Sequence, residues 1–387
     1  MAAAVTLAER GVPVTVFESG PIPGGRARRV TTDGRELDNG QHILIGAYTE
    51  LLRLMRLVGV PADALLRLPL DLRYADGFRI RGRLGLLLSP RIPLRERIGA
   101  VRFMLYLKGI SFAVADDLSV QSLLQQHRQD GVLGHYLWRP LCISALNTPP
   151  ERASARVFAI VLRDSLAGAP GASDLLLPRM DLSNLFPEPA AAYIRARGGE
   201  VRMNAPVREI SELKKEFAQI VIAVGPHQLK TLLPEHAPDY EYQPIYTCYL
   251  QYPETVKLPC PMLGFAGGLL QWAFDRASLT GEKSLIACII SAQGDHQQMT
   301  QEELAATCHR EMKAGLPGLP DPLWTRVIAE KRATVACVPN MKKLELEINR
   351  KDLFLAGDYL DPDYPPTLEA AVRSGVRAAS KLMDKEI

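Results

Sequence analysis

The chain has 387 residues, 47% of them hydrophobic and 23% charged, and its net charge is +3. This is the balance of a soluble globular protein with room for two sizeable cores, and it excludes a disordered or fibrous chain. So small a net charge also gives no general pull toward nucleic acid.

In chain order, Met1 to Arg10 predicts a helix closed by Gly11, and it has neither the basic start nor the apolar length of a signal peptide. Val12 to Phe17 predicts a short buried strand ending in Glu18. A carboxylate closing the second strand of a Rossmann unit is placed to bind an adenosine ribose. Gly24 and Gly25 would let backbone N–H groups reach a pyrophosphate, with Arg26 or Arg28 supplying charge. The competing reading is a glycine-rich turn with solvated arginines. A G-x-G-x-x-G fingerprint belongs about 20 residues before such an acid. Counting back from Glu18 puts it upstream of Met1, so the expectation is a reading frame that starts earlier.

Val30 to Asp38 predicts a hairpin with Asp33-Gly34 at its tip. Asn39-Gly40-Gln41-His42 then precedes an apolar run; such polar groups among glycines suit a close approach to a flat ligand, although His42 could equally be a satisfied core histidine. From Tyr48 to Arg195 the pattern is mostly helical, broken by Pro61, Pro90, Pro93, Pro140, Pro149-Pro150 and Pro170-Gly171, and reads as an insertion. Within it, residues 79–108 carry Arg79, Arg81, Arg83, Arg91, Arg95, Arg97, Arg102 and Lys108 against one acid, Glu96. Leu94, Ile98, Val101 and Leu105 repeat there at helical spacing. Such a helix either lies on an anionic membrane or packs its stripe on the core with a solvated basic rim. The interleaved residues are mainly aliphatic, and no nucleic-acid reader motif appears.

Val201 to Ile210 and Gln219 to Val224 are β-rich, and Ala223 to Pro226 ends a strand in a turn. Ile245 to Tyr252, Leu263 to Phe274, Ser284 to Ser291 and Arg326 to Val335 read as a mainly antiparallel sheet able to wall a long apolar cavity. Finally, the strand Leu353 to Ala356 stops at Gly357, where the backbone can approach a ligand and Asp358 can accept from a ribityl hydroxyl. Thr367 caps a helix whose positive end can face electron-rich flavin atoms. Alone this is an ordinary strand, turn and helix; combined with Gly24-Gly25-Arg26 at the other end of the chain it points to FAD.

The six cysteines, Cys142, Cys248, Cys260, Cys288, Cys308 and Cys337, show no Cys-x-x-Cys pair and no metal spacing with histidine. They read as buried thiols in a reducing cytoplasm, and no metal is expected. The longest uncharged stretch, Leu258 to Phe274, is broken by two prolines and three glycines and predicts no membrane-spanning helix. No Gly-x-Ser-x-Gly elbow, Walker loop or His-Glu-x-x-His occurs, which leaves hydrolase and kinase readings without support. The expected fold is α/β, α+β overall: a discontinuous Rossmann-like FAD-binding domain (1–47, 196–232, 340–387) with an inserted substrate-binding domain of helices and a mainly antiparallel sheet (48–195, 233–339).

Glu18, Gly24-Gly25-Arg26, Asn39-Gly40-Gln41-His42 and Gly357-Asp358 together resemble the flavin amine oxidase and phytoene desaturase superfamily. Leu37 to His42, Leu141 to Pro150, Ser173 to Pro178 and Gly357 to Pro362 are similar, more narrowly, to the hydroxysqualene dehydroxylase family. The resemblance implies a reaction in bacterial squalene or hopanoid synthesis, in which hydroxysqualene loses its hydroxyl and gains a hydride from reduced FAD. It implies a long apolar isoprenoid substrate and leaves the electron donor unspecified. It assigns Glu18 to the adenosine ribose, Gly24, Gly25 and Arg26 to the pyrophosphate, and Val207 to adenine. Gly357 and Asp358 fall to the ribityl and phosphate region, with Gly40, Gln41 and His42 near the flavin ring. Asp361, Asp363 or Tyr364 fall at its other face, and His42, Asp361 and Asp363 are the candidate acids for the departing hydroxyl. The rival readings are an oxidative polyene desaturase and an inactive, amino-terminally truncated fragment. The expected location is cytoplasmic, with peripheral contact to the inner face of the membrane through residues 79–108.

Overall fold

The computed structural model describes residues 1–387 except 83, 84, 86–88, 343, 349–351, 362 and 385–387, so Arg83 and Pro362 lie outside the described residues. The α/β part opens with helix α1 (Ala2–Glu9), ended by Gly11 at φ +77°. It leads into strand β1 (Thr15–Phe17). The predicted hairpin forms as β2 (Arg29–Thr32) and β3 (Arg35–Asp38), with Asp33 and Gly34 both at positive φ, the turn that matches strand twist. Strand β4 (Leu44–Ile45) and helix α2 (Thr49–Leu57) follow.

The insertion is less helical than its sequence pattern. Strands β5 (Leu65–Leu68), β6 (Asp71–Arg73), β7 (Arg79–Arg81) and β8 (Leu175–Pro178) interrupt it, each too short to display an alternation of its own. Its helices are α3 (Leu94–Gly109), α4 (Val120–Gln126), α5 (Arg139–Leu146), α6 (Ala155–Ser165) and α7 (Pro187–Ala196). The first four enclose a core around Phe103, Trp138 and Phe158, while α7 packs in a second core with Leu44, Leu51 and Leu54. The buried Trp138 indole N–H finds its partner in Gln129 Oε1 at 3.1 Å.

The chain then returns through β9 (Glu200–Arg202), which pairs parallel to β1, and β10 (Ile220–Ile222). Only the first residues of the predicted stretch 201–210 are strand; from Met203 the chain leaves the sheet. A five-stranded antiparallel sheet follows in the order β12 (Met262–Gly264), β13 (Trp272–Asp275), β14 (Leu285–Ser291), β11 (Tyr242–Gln251), β15 (Trp324–Val335). The single strand expected over 263–274 is instead a hairpin, because Gly267, at φ +88°, reverses the chain between β12 and β13. Alternation along β11 sends Tyr249 into the helical core and Cys248 and Leu250 under helix α8 (Gln301–Gly315).

Strand β16 (Leu353–Leu355) pairs parallel to β10 and is buried on both faces. Leu353 and Leu355 face Ile222 and Leu229, while Phe354 packs on Leu7, Ala378 and Ala379. Helix α9 (Leu368–Met383) crosses α1 so closely that a Cβ at Gly375 would lie 3.0 Å from Ala2 Cβ. The sheet edges and helix starts at Glu18, Asn39, Gly357 and Thr367 all belong to this α/β part or its border.

Among the described residues the cysteines form no disulfide and no group of side chains has the arrangement of a metal site. Among the described residues no helix is long and apolar enough to cross a membrane.

Candidate cofactor-binding site

The loop after β1 is shaped by its glycines. Gly24 has φ +122°, and a Cβ there would fall 2.5 Å from Ala27 O and 2.9 Å from Pro187 Cγ, so no other residue fits. Gly25, at φ +61°, faces open space. Arg26 then reaches across the molecule: Nη2 donates to Asp358 Oδ1 at 2.7 Å and Nη1 to Ala333 O at 2.6 Å. The Asp358 side chain is 7% exposed and that of Arg26 35%. Burial opposes the Arg26 charge most strongly, but the adjacent Asp358, with Glu330 behind it, prevails and holds the guanidinium still more firmly protonated. A guanidinium has five N–H donors and two are used, so three remain for an anionic ligand. Arg28 folds back onto Gly25 O.

Glu18 stands at the carboxyl end of β1. Its Oε1 accepts from Gly20 N at 2.8 Å and Ser19 Oγ at 3.2 Å. Asn204 N donates to Gly20 O and Ala205 N to Glu18 O, which ties the segment leading to half-buried Val207 against the Glu18 turn. The segment that carries Val207 thus starts at the Glu18 turn.

The Asn39–His42 segment lies beside Arg26: Asn39 Nδ2 donates to Arg26 O and to Glu330 Oε2, each at 3.2 Å. Beneath it runs a buried ion pair, with Arg276 Nη1 donating to Asp38 Oδ2 at 3.0 Å and to Gln41 Oε1 at 3.2 Å. Arg276 also meets Glu282 at 2.8 Å. Burial pushes the Asp38 carboxyl up, while Arg276 and the Leu182 N–H pull against that shift. A Cβ at Gly40 would sit 3.9 Å from both His42 Nε2 and Thr247 Oγ1. His42 is half-buried; burial first, then the Arg26 charge, push its pKa down to about 4. The imidazole is thus neutral near pH 7. Thr247 Oγ1 is buried with no hydrogen-bond partner among the described residues, which is costly unless a ligand supplies one.

At the other terminus, Gly357 N donates to Ser374 Oγ at 2.8 Å. A Cβ at Gly357 would strike the Tyr359 ring at 2.3 Å, so the turn requires glycine. Thr367 caps α9, its Oγ1 accepting from Ala370 N at 3.2 Å. The buried Glu369 accepts from Glu50 N at 3.0 Å and Leu51 N at 2.8 Å, fastening the start of α2 to the start of α9. Ile45, Tyr48, Ala145, Val161, Tyr364 and Pro365 line a cavity of about 30 Å³ beside Thr367. An open cleft of about 510 Å³ lies next to it, flanked by Arg67, Arg163 and Arg373 and sharing Asp164.

The structure thus brings Gly24, Gly25, Arg26, Gly40, Gln41, His42 and Asp358 together from sequence positions more than 300 residues apart. Asp361 pairs with Arg377 at 3.1 Å, and Asp363 is exposed. Residues that sequence reasoning missed are Thr247, Arg276, Glu330 and Ala333. All four sit on strands or strand ends where only sheet register reveals them, and Ala333 contributes only a backbone carbonyl.

FAD meets these features well. Free guanidinium donors, an open Gly25 backbone and a threonine hydroxyl with no partner among the described residues surround one locus. Comparison with known proteins agrees. Residues 1–383 match the family described as flavin containing amine oxidoreductase. Hydroxysqualene dehydroxylase of Sinorhizobium fredii is 28% identical across 98% of this chain and 94% of its own length. The same enzyme of Rhodopseudomonas palustris is 27% identical, with 99% and 96% covered. A probable zeta-carotene desaturase of Synechococcus elongatus is 22% identical over 100% and 97%. In fold, an oxidoreductase of Methanosarcina mazei superposes with a TM-score of 0.72 at 15% identity, covering 98% and 97%. Cyclohexylamine oxidase of Brevibacterium oxydans gives 0.70 at 16%, covering 100% and 96%. The protein is an FAD-dependent oxidoreductase. It belongs to the flavin containing amine oxidoreductase family, in which the relatives it matches at 27–28% identity are hydroxysqualene dehydroxylases.

Proposed function

We propose that this protein converts hydroxysqualene to squalene by reductive dehydroxylation, as a step of squalene and hopanoid biosynthesis. The observation that carries the reading is end-to-end likeness to hydroxysqualene dehydroxylases, at higher identity than to carotene desaturases. In the reaction a C–O bond breaks, the hydroxyl takes up one proton and leaves as water, and the same carbon gains hydride. When bound and reduced, FAD would supply that hydride, which carries both electrons of the reduction.

The chain's own groups hold and screen the reactants. On this reading Arg26, backed by Asp358, and the Gly24-Gly25 backbone hold the pyrophosphate, while Glu18 and Val207 hold the adenosine end. Gln41, locked by Arg276, and Gly40 form the wall facing the flavin ring. His42, neutral at physiological pH, donates an N–H to orient the leaving hydroxyl and is not a resting proton source. Asp361 is committed to Arg377. Residues 1–47, 196–232 and 340–387 form most of the cofactor side, which Thr247, Arg276, Glu330 and Ala333 join from the substrate side of 48–195 and 233–339.

The test is incubation of the anaerobically reduced, FAD-loaded protein with hydroxysqualene, and of the oxidised protein with zeta-carotene, followed by mass spectrometry. Squalene from the first alone is expected. Desaturated carotenoid from the second, with hydroxysqualene untouched, would replace this reading with the polyene desaturase.

A further inference from the structure

Helix α3 is apolar on two opposite faces. Ala100, Phe103 and Leu107 are buried against the core. Leu94, Ile98, Val101 and Leu105 point away from it and are 41% to 65% exposed. With Tyr106 they make up all but one of the large exposed hydrophobic side chains among the described residues; the other is Leu323. At roughly 100° per residue the four aliphatic side chains fall within an arc of about 60°, and they run for about 16 Å along the helix. The alternative of a stripe packed on the core is therefore not what forms. The stripe is the outer face.

Charge frames this face on both sides. Arg95 and Arg102 flank one edge and Lys108 the other, all exposed and with no ion pair or hydrogen bond among the described residues. The helix's one acid, Glu96, turns inward to accept from Leu133 N at 3.1 Å. The outward surface is thus an aliphatic ridge between unneutralised cations. We infer that α3 is a membrane-docking helix that lies in the headgroup layer of an anionic bilayer, its aliphatic ridge in the acyl boundary and its cations on lipid phosphates.

The same charges argue against a second copy as the occupant. A two-fold contact along this ridge would bring Arg95, Arg102 and Lys108 of both chains together while Glu96 remains turned inward. A bilayer of phosphate headgroups satisfies the ridge and the cations at once. The assignment rests on this surface alone and holds whichever isoprenoid the site takes.

The experiment is co-sedimentation of the full 387-residue chain with vesicles of phosphatidylcholine, with and without phosphatidylglycerol, across a salt series. Binding is expected to the mixed vesicles and to weaken as salt rises. Arg95→Gln with Arg102→Gln is expected to lower it by roughly thirtyfold. Ile98→Ser with Leu105→Ser should lower it by at least about tenfold, with thermal melts unchanged because the positions are exposed. Absence of binding at low salt, or equal binding by wild type and both variants, would overturn the inference. So would a dimer in sedimentation equilibrium that either variant converts to monomer without any change in vesicle binding.

Discussion

Replacing Arg26 by Met removes the contact that joins the two ends of the chain at the cofactor site. The guanidinium is spent on Asp358 and Ala333 O through two of its five donors, and its remaining face is open. One charge-assisted bond to a ligand phosphate is worth about 1.5 to 3 kcal/mol. Its loss corresponds to a roughly ten- to hundredfold weaker FAD dissociation constant. Asp358, almost wholly buried, would also be left beside the ligand without its cation, which adds to the loss. Arg26→Lys keeps a charge but not the fork that spans Asp358 and Ala333 O, and should fall between the two. The assay is quenching of flavin fluorescence on titrating FAD into apoprotein, with Arg67→Ala as control, since Arg67 makes an exposed pair with Asp174. An Arg26→Met variant that binds FAD within threefold of wild type would refute the assignment of this residue to the cofactor.

Arg276→Met leaves Asp38 buried and unpaired, at a cost of about 3 to 5 kcal/mol in denaturant unfolding. With its folded pKa then raised far above the unfolded one, Asp38 binds a proton more readily when folded, so the deficit should be large at neutral pH and shrink as pH falls. Adding Asp38→Asn should recover part of it. His42, depressed to about 4, is neutral from pH 6 to 8, so turnover should show no titration from this group in that range. Its folded pKa lies below the unfolded value, so the unfolded state gains protons first and His42→Gln should become relatively more stable than wild type as pH drops from about 6.5 toward 4. Asp363→Ala, at an exposed position, is expected to leave turnover within about twofold, whereas a drop of the size expected at a proton donor, about a hundredfold, would restore it as the acid. Gly24→Ala forces a Cβ onto Ala27 O at a strained φ, and purified protein should carry little flavin.

Local signals in the sequence were reliable where a single residue type controls the backbone. Asp33-Gly34 makes the hairpin, Gly11 ends α1, and Thr367 caps α9, each for a steric or hydrogen-bonding reason that acts within four residues. The Gly24-Gly25-Arg26 and Gly357-Asp358 turns could be matched to a dinucleotide site because glycine there has no substitute. Orientation was not available in the same way. Periodicity reveals the stripe on α3 but not which of the helix's two apolar faces meets the core. The strands β5 to β8 are too short to show alternation, and β12 and β13 merge in sequence because both are apolar. Arg276 carries no sequence signal: its role comes from the end of β13 arriving next to Asp38, a consequence of sheet order.

The most direct test of the central claim is a single turnover of protein-bound flavin. The FAD-loaded protein is reduced anaerobically, excess reductant is removed, hydroxysqualene is added, and flavin absorbance and squalene are followed together. The account predicts that the flavin reoxidises and that one squalene appears for each flavin, with Arg26→Met showing neither unless excess FAD is supplied. Flavin that stays reduced in the presence of hydroxysqualene, or squalene that forms without reoxidation, would contradict it.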